Sequence, residues 1–573
     1  MYDLLTNPLI TVSLEGSRTE LSVPEILYHL TQGHDVGFVN AQQHQLYPAL
    51  YPVLCHLGAL AVVRGFKSSS PPGDAEPREW RAALLSLAPP PAWHLVGEDD
   101  DKPAFMQPAM HRSEDYYRKA KPFIRAPDLS LGLIPTKTAG ASMHHSKPDH
   151  WFYALIALQT LSGYMGRGLY GSSRMNSGTG SRTVFGIGPS HRFVDRWQRD
   201  VRALLSERAR HCKEYKTDGH ALLWLLPWSG KETFSLADLD PYYVDISRRV
   251  RLVLDQGKIA AITATSSGPL IHDSNRGAIG DFWTPIERDE AGDKAFTLGE
   301  WGWRFNRSAP LLASMASPAV RLRETDGERP WLFAAGVPSI GIGKKAPFQE
   351  LEIQLPPRIA SILRSPEGRK AMLRLIEARV NATVSGSHAL HAGQLLLRPN
   401  SSAQPKDNRD LRRFWADVDE RFFGDLFRDV GVVEPQNDGE WHAWIQVWAW
   451  RILQESLQDK PADVEAKATK AFMNVVRQSL LRPGLFCQDC LKPMAPHGSM
   501  GTANADGSPV LRGICACGKT ASTSGRKKGR PSHGDRSLKE IARDYGKSVA
   551  TISGWRRNRG WKDGDPPPPR KKR

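Results

Sequence analysis

The sequence predicts an α+β protein, and three patterns along the chain support that class. The first thirty residues contain two strand-like segments, LITVSL and ELSV, followed by a helical segment, PEILYHL, with proline at its start. Farther on, YYVDISRRVRLVL and GKIAAITAT predict a hairpin whose turn falls at residues 255–258. From residue 356 to about residue 480 the apolar residues recur at helical spacing. Strands grouped early and helices grouped late are typical of an α+β chain.

The helical part predicts a four-helix bundle, because it contains four apolar stripes. Their members are Leu373, Ile376 and Val380; Phe414, Val418, Phe422 and Leu426; Trp441, Trp444, Ile445, Trp448 and Ile452; and Phe472, Val475, Val476 and Leu480. We interpret the tryptophans as core residues rather than as a platform for stacked bases. SHALHAGQ and PNSSAQPKDNRD, between residues 387 and 410, predict a long connection.

Three further segments have specific expectations. Residues 191–212 predict an amphipathic helix with Phe193, Trp197, Val201 and Leu204 on one face and its charges on a solvated face. Phe105 and Met106 stand in polar, proline-bounded sequence and are expected to insert into the core. The arginines of the predicted hairpin either contact phosphates or cover an exposed strand face. They are Arg248, Arg249 and Arg251.

Composition narrows the class of partner and the location. The chain has 573 residues, which suits about three or four domains. Its net charge of +16 and pI near 9.5 favour nucleic acid or another polyanion, and a solvated basic surface is the alternative. The first residues lack the basic start and apolar core of a signal peptide, and the apolar segment at about residues 47–63 is interrupted by histidine and proline. We therefore expect a buried helix, no membrane partner and a cytoplasmic location.

A glycine-rich stretch occupies residues 163–180 and follows the apolar segment WFYALIALQTLS. Six of its eighteen residues are glycine, its charged residues are Arg167 and Arg174, and Arg182 follows at once. Glycine allows the backbone to approach a ligand surface closely, and the arginines favour an anionic ligand. A slack surface loop is the alternative, since the stretch has neither the Walker lysine pattern nor a strict GxGxxG.

The order of several short features resembles a known family. Leu4, Leu5, Asn7 and Ile10 come first, then Pro103, Phe105, Met106 and Gln107, then an apolar helix with Gln159 that leads into the glycine-rich stretch. Over roughly residues 1 to 480 this pattern resembles the CasA-type large subunit of the type I-E CRISPR Cascade complex.

The resemblance implies a non-catalytic subunit of a prokaryotic cytoplasmic complex. Its implied partners are a guide RNA, target double-stranded DNA, a recruited helicase-nuclease and other Cascade subunits, namely the backbone, small and guide-end-binding subunits. The subunit would recognise the protospacer-adjacent motif in duplex DNA and initiate strand separation.

The resemblance also implies particular site residues. In the family a glycine loop enters the minor groove, which is about 6 Å wide and admits a backbone without side chains. The matching DNA-binding candidates are Gly163, Gly166 and Gly168 with Arg167 and Arg174, and the guide-RNA or DNA loop candidates are Met143, His144 and His145. A polar hairpin acts as a wedge in the family, and its closest match is Lys344, Lys345 and Ala346 after Gly343. The familiar wedge carries glutamine where this chain has lysine.

The tail beyond residue 483 has features that the familiar subunit does not require. Cys487 and Cys490 form a CxxC, and Cys515 and Cys517 form a CxC. Four thiolates in two pairs predict a closed, structural Zn²⁺ site, with His497 as a possible substitute ligand. Two isolated cysteines, Cys55 and Cys212, are expected to be inert core residues, and six cysteines in this length exclude a disulfide scaffold.

The last part of the tail predicts a helix-turn-helix. Ala542, Gly546 and the apolar residues around them have the spacing of that motif, and a helical hairpin used for protein contacts is the alternative. The candidates to face DNA are Thr551, Ser553, Arg556 and Arg557. Residues 521–573 hold sixteen Lys or Arg against five Asp or Glu, and PPPPRKKR is expected to be disordered.

These features divide the chain into five predicted parts. They are a DNA-recognition domain at 1–355, a four-helix bundle at 356–482, a zinc ribbon at 483–520, a basic linker with helix-turn-helix at 521–562, and a basic tail at 563–573. Two other functions stay open at this point. One is a sequence-specific regulator that acts through the helix-turn-helix, and the other is a metal-dependent nuclease.

Overall fold

The computed structural model describes most of the chain. The described residues are 2–41, 46–109, 121–123, 147–161, 182–211, 214–228, 233–263, 281–289, 292–299, 302–341, 344–345, 347–397, 409–435, 438–480, 495–503, 509–514 and 520–522. Within these ranges the chain forms eleven α-helices and eighteen strands, so the α+β class is confirmed.

The strands are β1 Ile10–Leu14, β2 Ser17–Leu21, β3 Val36–Gly37, β4 Lys121–Phe123, β5 Thr183–Gly188, β6 His220–Leu222, β7 Leu239–Val244, β8 Val250–Asp255, β9 Lys258–Thr263, β10 Ile286–Asp289, β11 Gly292–Ala295, β12 Trp331–Gly336, β13 Ser339–Gly341, β14 Lys344–Lys345, β15 Gln349–Gln354, β16 Ala495–Ala503, β17 Pro509–Ile514 and β18 Thr520–Ser522.

The helices are α1 Val23–Gln32, α2 Tyr51–Leu60, α3 Pro77–Leu87, α4 Pro148–Thr160, α5 Phe193–Glu207, α6 Phe305–Ser314, α7 Pro357–Arg364, α8 Pro366–Leu395, α9 Arg409–Asp429, α10 Gly439–Leu457 and α11 Ala462–Leu480.

The two strands predicted near the N-terminus and the hairpin predicted in the middle of the chain are confirmed, although β2 lies at Ser17–Leu21 and the end of ELSV belongs to the helix start. β1 pairs antiparallel with β2, and α1 follows with Ser22 and Glu25 closing a capping box at its start. β8 pairs antiparallel with β9 across Gln256 and Gly257, which both have positive φ. A two-residue turn of this kind matches the twist of the strands it joins.

The long apolar segment is a helix of the core. α2 continues at both ends as π-helical turns, so the helix spans Leu46–Gly65. Among the described residues it is the one helix long and apolar enough to cross a membrane, and most of it is buried inside the protein. The expectation of a buried helix is confirmed.

Helix α5 is amphipathic as predicted, but a solvated face accounts for only some of its charges, since Arg196, Arg199 and Asp200 are buried. Arg199 is buried and donates to the carboxylates of Asp326 and Asp200 at 2.9 and 2.7 Å, and to two backbone carbonyls. The second oxygen of Asp200 accepts from Tyr51 Oη at 2.7 Å and from Trp283 Nε1 at 2.6 Å. These charges connect α5 to its neighbours, because each one is buried with partners that satisfy it.

A three-stranded antiparallel sheet separates two hydrophobic cores. Its order is β15-β12-β5, with β12 in the centre. Successive residues of a strand face opposite sides. Accordingly Val184 and Phe333 belong to the core with α1, α2, α4 and α5, whereas Phe185 and Leu332 belong to the core with the C-terminal helices. The sheet therefore forms a shared wall of both cores.

The predicted connection at SHALHAGQ is wrong, because α8 continues through these residues. Ala389, Leu390 and Gly393 are buried at helical spacing, while His388 faces solvent. The small residues are required by close helix packing. A Cβ on Gly386 would lie 2.5 Å from Ile445 Cγ2 of α10, and one on Gly393 would lie 2.5 Å from Leu453 Cδ2. Residues 399–408 of the second predicted connection lie outside the described part.

Helices α8 to α11 carry the four predicted apolar stripes, while their arrangement as a four-helix bundle and the domain boundary at 355 stay predictions. Of the tryptophans interpreted as core, Trp441 is buried and Trp444 and Trp448 are half-buried. Trp448 Nε1 donates to Asp417 of α9 at 3.0 Å, and the Arg421 guanidinium lies 4.5 Å from the Trp444 ring. These two tryptophans thus fasten α10 to α9.

Two glycine-to-alanine substitutions test the packing of α8. Gly386→Ala should destabilise the protein by about 1–3 kcal/mol, because the new methyl group collides with Ile445. Gly424→Ala in α9 is the control: its Cβ meets nothing within 4 Å, so it should stabilise by about 0.5–1 kcal/mol through helix propensity. Thermal melts of both variants measure this, and equal shifts of Tm would contradict the packing.

Candidate nucleic-acid interface

Helix α4 positions the glycine-rich stretch. From Trp151 to Thr160 every residue is buried, which explains why the helix is apolar on all sides. Just after it, Leu161 O accepts a hydrogen bond of 3.0 Å from Arg182 N. The two residues that flank the glycine-rich stretch in the described structure therefore lie beside one another. We call this hydrogen-bonded pair the neck. The intervening segment, which contains all the glycine and arginine candidates from Gly163 to Arg174, lies outside the described residues.

The side chain of Gln159 joins three separate parts of the chain beside the neck. It is fully buried. Its Nε2 donates to Met106 O at 2.8 Å and to Arg248 O at 2.9 Å. Its Oε1 accepts from the backbone N–H groups of Ser247 at 2.9 Å and Arg248 at 2.8 Å. Both donor and both acceptor positions of the amide are thus used, which is the most that a glutamine side chain can form.

A second buried glutamine, Gln107, holds the segment that Gln159 contacts. Residues 104–107 form a tight turn in which Met106 has a φ of +53°, and Phe105 and Met106 are buried, so their predicted insertion into the core is confirmed. Gln107 Nε2 donates to Leu95 O at 2.8 Å, and its Oε1 accepts from Leu252 N at 2.6 Å. The turn is therefore fastened to strand β8.

Arg182 of the neck also forms a buried ion pair with Asp281. Arg182 Nη2 donates to Asp281 Oδ1 at 2.8 Å, and both side chains are about 1 % exposed. Asp281 Oδ2 accepts from Thr284 N at 3.1 Å, and the Thr284 hydroxyl lies 2.9 Å from Thr183 O. The prediction that Arg182 helps to attract an anionic ligand is therefore wrong. Its charge is already balanced inside the protein.

The lysine hairpin begins and ends at the same edge of the sheet where the glycine-rich stretch returns. β12 and β15 are joined by residues 337–348, and within them β13 pairs with β14, which consists of Lys344 and Lys345. In the register of the sheet, Gly336 lies opposite Thr183 on one side and opposite Gln349 on the other. One row of three residues therefore holds the end of the glycine-rich segment and both ends of the hairpin. Ala346 lies outside the described residues.

Packing fixes this row. Val337, at the start of the hairpin, is buried, and Phe348, at its end, packs against the first core. Gln349 Oε1 accepts from Trp303 N at 3.1 Å. A Cβ on Gly302 would lie 1.5 Å from that oxygen, and Gly302 has a φ of +71°, so only glycine fits there.

Arg251 lies on β8, and Arg248 and Arg249 directly precede it. The two expectations for these arginines, phosphate contact and an exposed strand face, are wrong. Arg248, Arg249 and Arg251 are all buried, so they neither cover an exposed strand face nor are placed to contact phosphates. Arg251 donates to Lys102 O at 2.9 Å and to Asp99 O at 2.7 Å. Arg248 donates to Leu158 O, and burial lowers the pKa of its guanidinium to about 9, so it is still charged at neutral pH. These arginines stabilise the base of the site.

The other predicted site residues lie outside the described part of the chain. They are Met143, His144 and His145; Cys487, Cys490, Cys515 and Cys517; and Thr551, Ser553, Arg556 and Arg557. Among the described residues, no group of three or more His, Cys, Asp or Glu side chains is placed to hold a metal ion. Sequence reasoning missed Asp281 and its pairing with Arg182, since nothing in the local sequence relates two residues that are 99 positions apart.

Comparison with solved structures identifies the fold as that of CasA. No protein-family model matches the sequence, and no curated protein matches it. Crystal structures of Thermus thermophilus CasA do match. One has a TM-score of 0.55 and 15 % identity, and another has a TM-score of 0.53 and 16 % identity; in each case the match covers 83 % of this chain and 99 % of the other.

A chain of a structure described as a CRISPR RNA-guided surveillance complex matches equally well. Its TM-score is 0.55 at 13 % identity, with the same coverage of 83 % and 99 %. At these identities the likeness is one of fold, and it extends over essentially the whole length of each matched chain. The present chain therefore has the CasA fold.

Replacing Gln159 tests its role as the joint of the site. Gln159→Leu keeps the volume but leaves four buried backbone groups without partners, so we expect a loss of about 3–5 kcal/mol in the free energy of unfolding. Gln198→Leu is the control, because Gln198 is half-buried and donates only to Leu30 O and Thr31 O. Chemical denaturation measures both, and hydrogen exchange at Ser247 and Arg248 should accelerate in the first variant alone.

Proposed function

We propose that this chain is the large subunit of a type I-E-like CRISPR RNA-guided complex and recognises the protospacer-adjacent motif in double-stranded DNA. The observation behind the proposal is the row Thr183, Gly336 and Gln349, which anchors the glycine-rich segment and the lysine hairpin at one edge of one sheet. The CasA fold supports it, because a solved structure of an RNA-guided surveillance complex contains a chain of that fold. In this role the chain is not an enzyme.

The spacing of the anchors suits a DNA duplex. Neighbouring strands lie about 4.8 Å apart, so Thr183 and Gln349 stand about 10 Å from one another across β12. The two segments therefore start within about three base-pair rises of 3.4 Å. Two segments whose ends lie this close together would be able to contact the same short stretch of duplex.

The two segments have different chemistry, and each suits one part of the task. A glycine backbone without side chains fits the minor groove of DNA, so Gly163, Gly166 and Gly168 would enter the groove. Arg167 and Arg174 would add phosphate contacts. Lys344 and Lys345 would stand beside the first base pair to open. Unstacking a step costs a few kcal/mol, which new phosphate and base-edge contacts offset. Lysine in place of the family's glutamine implies that phosphate contacts matter more here.

The remaining parts of the proposal follow the fold likeness. A guide RNA and other Cascade subunits are the proposed partners, with Met143, His144 and His145 in the loop that meets guide RNA or DNA. Recruitment of a helicase-nuclease after duplex opening would supply the DNA cleavage. A cytoplasmic location in a prokaryote follows from that assembly.

A single glycine substitution tests recognition of the motif. Gly168→Asp should reduce binding to duplexes that carry the adjacent motif by about 100-fold or more, because a carboxylate in the minor groove meets both steric and charge repulsion. Gly73→Asp is the control, since Gly73 is exposed and a Cβ there meets nothing within 4 Å. Binding is measured on the assembled complex with a duplex library that is randomised beside the guide-matched sequence.

Two outcomes of that experiment would count against the proposal. One is a wild-type complex that enriches no motif from the library. The other is a chain that purifies from its native host without a short guide RNA and backbone subunits. An assembled Gly168→Asp complex that has lost motif preference, beside a control that keeps it, is the expected result.

The alternative of a sequence-specific regulator rests on the tail, whose residues 521–573 have a net charge of +11 from sixteen basic and five acidic residues. Deleting residues 484–573 separates the two functions. We expect weaker DNA binding with a flatter salt dependence, because fewer phosphates are neutralised, while guide-directed recognition persists. Affinity measured across a salt series shows this. Complete loss of recognition would make the tail the principal reader of DNA.

A further inference from the structure

Helix α1 ends in two histidines whose ring nitrogens face one another. His29 Nδ1 and His34 Nδ1 lie 2.9 Å apart, and both side chains are half-buried. We propose that this histidine pair is a binding site for a divalent transition-metal ion, with Cu²⁺ and Ni²⁺ preferred over Zn²⁺. The proposal goes beyond DNA recognition and does not depend on it, because the pair belongs to α1 and the turn that follows it.

The local sequence brings these two side chains together. Gly33 ends α1 with a φ of +84°, a conformation that glycine adopts without strain. Gly33 N donates to Leu30 O at 3.3 Å, and His34 N donates to His29 O at 3.0 Å. These two hydrogen bonds define the Schellman motif, in which the residues at the positions of His29 and His34 commonly form an apolar contact. Here two imidazoles, which are metal ligands, occupy those positions.

Neighbouring elements hold both ends of this turn in place. Gln198 of α5 donates from Nε2 to Leu30 O at 2.9 Å and to Thr31 O at 3.0 Å. After the pair, Asp35 N donates to Glu15 Oε1 at 2.7 Å, and Asp35 O accepts from Glu15 N at 3.0 Å. The backbone that carries the pair is therefore fixed before an ion binds, which lowers the entropic cost of binding.

A metal ion can replace the proton that the two rings share. In a neutral imidazole one ring nitrogen carries a proton and the other has a lone pair. A hydrogen bond between two Nδ1 atoms therefore needs one ring protonated at Nδ1 and the other protonated at Nε2. Binding an ion between the rings requires only that the first ring takes the Nε2–H tautomer. Both rings then stay neutral, and no proton is released.

The distance between the two nitrogens selects the class of metal. Metal–imidazole bonds are about 2.0–2.1 Å long, so two nitrogens at a right angle on one ion lie about 2.9 Å apart, whereas at the tetrahedral angle they lie about 3.3–3.4 Å apart. The observed 2.9 Å matches the right angle. Square-planar and tetragonal sites are typical of Cu²⁺ and Ni²⁺, while Zn²⁺ prefers a tetrahedron.

Water would complete the coordination of the ion. Glu25, one turn before His29, is already engaged at the start of α1, where its carboxylate accepts from Ser22 N and Ser22 Oγ at 2.7 Å. Across the part of the chain that the structure describes, no third His, Cys, Asp or Glu completes a metal-binding cluster. A cation is still favoured here, because the carbonyl end of a helix carries a partial negative charge. The ion would fasten the last turn of α1.

Metal titration of the purified full-length chain tests the proposal. Cu²⁺ and Ni²⁺ should raise Tm, because an ion that binds only the folded state stabilises it, and Zn²⁺ should raise it less. His29→Gln and His34→Gln should each bind about one Cu²⁺ per chain fewer than the wild type and should show a smaller shift of Tm. His388→Gln is the matched control, since His388 is a solvent-exposed histidine of α8, and it should behave as the wild type.

A double variant separates metal binding from the stability of the turn. His29→Leu combined with His34→Leu supplies the apolar contact that is usual in the Schellman motif, so the metal-free variant should melt at or above the wild-type temperature. It should nevertheless bind one Cu²⁺ fewer than the wild type. The electron paramagnetic resonance signal of that ion, obtained as the difference between wild type and double variant, should show coupling to two imidazole nitrogens.

Several results would overturn the proposal. They are equal Cu²⁺ binding by the wild type and the double variant, a difference spectrum without imidazole coupling, tighter binding of Zn²⁺ than of Ni²⁺ at the histidine pair, and loss of the same ion in His388→Gln. Guide-RNA co-purification and motif binding should be unchanged in the double variant. Failure of the metal site is therefore distinguishable from failure of the proposed function.

Discussion

The arrangement of the candidate site depends on the four hydrogen bonds that the side-chain amide of Gln159 forms. Segments at 104–107, 158–161 and 247–252 run beside one another without forming a common sheet, so their backbone groups need partners from side chains. A buried N–H or C=O without a partner costs as much as a lost hydrogen bond. Gln159 and Gln107 supply those partners from the core. The positions of the two glutamines therefore determine where Leu161 and Arg182, the residues that flank the glycine-rich stretch, lie.

The sheet β15-β12-β5 connects this part of the structure to the core that contains the C-terminal helices. Strand β12 contributes Phe333 to one core and Leu332 to the other, and it ends in the lysine hairpin. Because interiors are closely packed, a shift of β12 changes contacts in both cores at once. The hairpin is therefore held by the helical half of the chain as well as by the half that holds the glycine-rich stretch.

The sequence predicts local structure in this chain far better than it predicts which distant residues contact one another. Turn residues such as Gln256 and Gly257, and apolar spacing in α5 and α9, placed strands and helices correctly because these depend on neighbouring residues. The connection predicted at SHALHAGQ is wrong because its polar residues conceal the buried small residues of α8. The roles predicted for Arg182 and Arg248 are wrong because a charged side chain looks the same in sequence whether it contacts solvent or a distant carboxylate or carbonyl. Long-range pairing is the information that local pattern lacks.

The neck between Leu161 and Arg182 has a consequence for how this protein changes over evolutionary time. Its backbone hydrogen bond and the buried pair of Arg182 with Asp281 hold residues 161 and 182 beside one another. The cost of closing a longer or shorter loop varies only slowly with its length. A change in the number of residues between Leu161 and Arg182 should therefore alter the free energy of closing the chain at the neck only slightly. Selection can alter what this part of the surface recognises without having to solve the folding problem again.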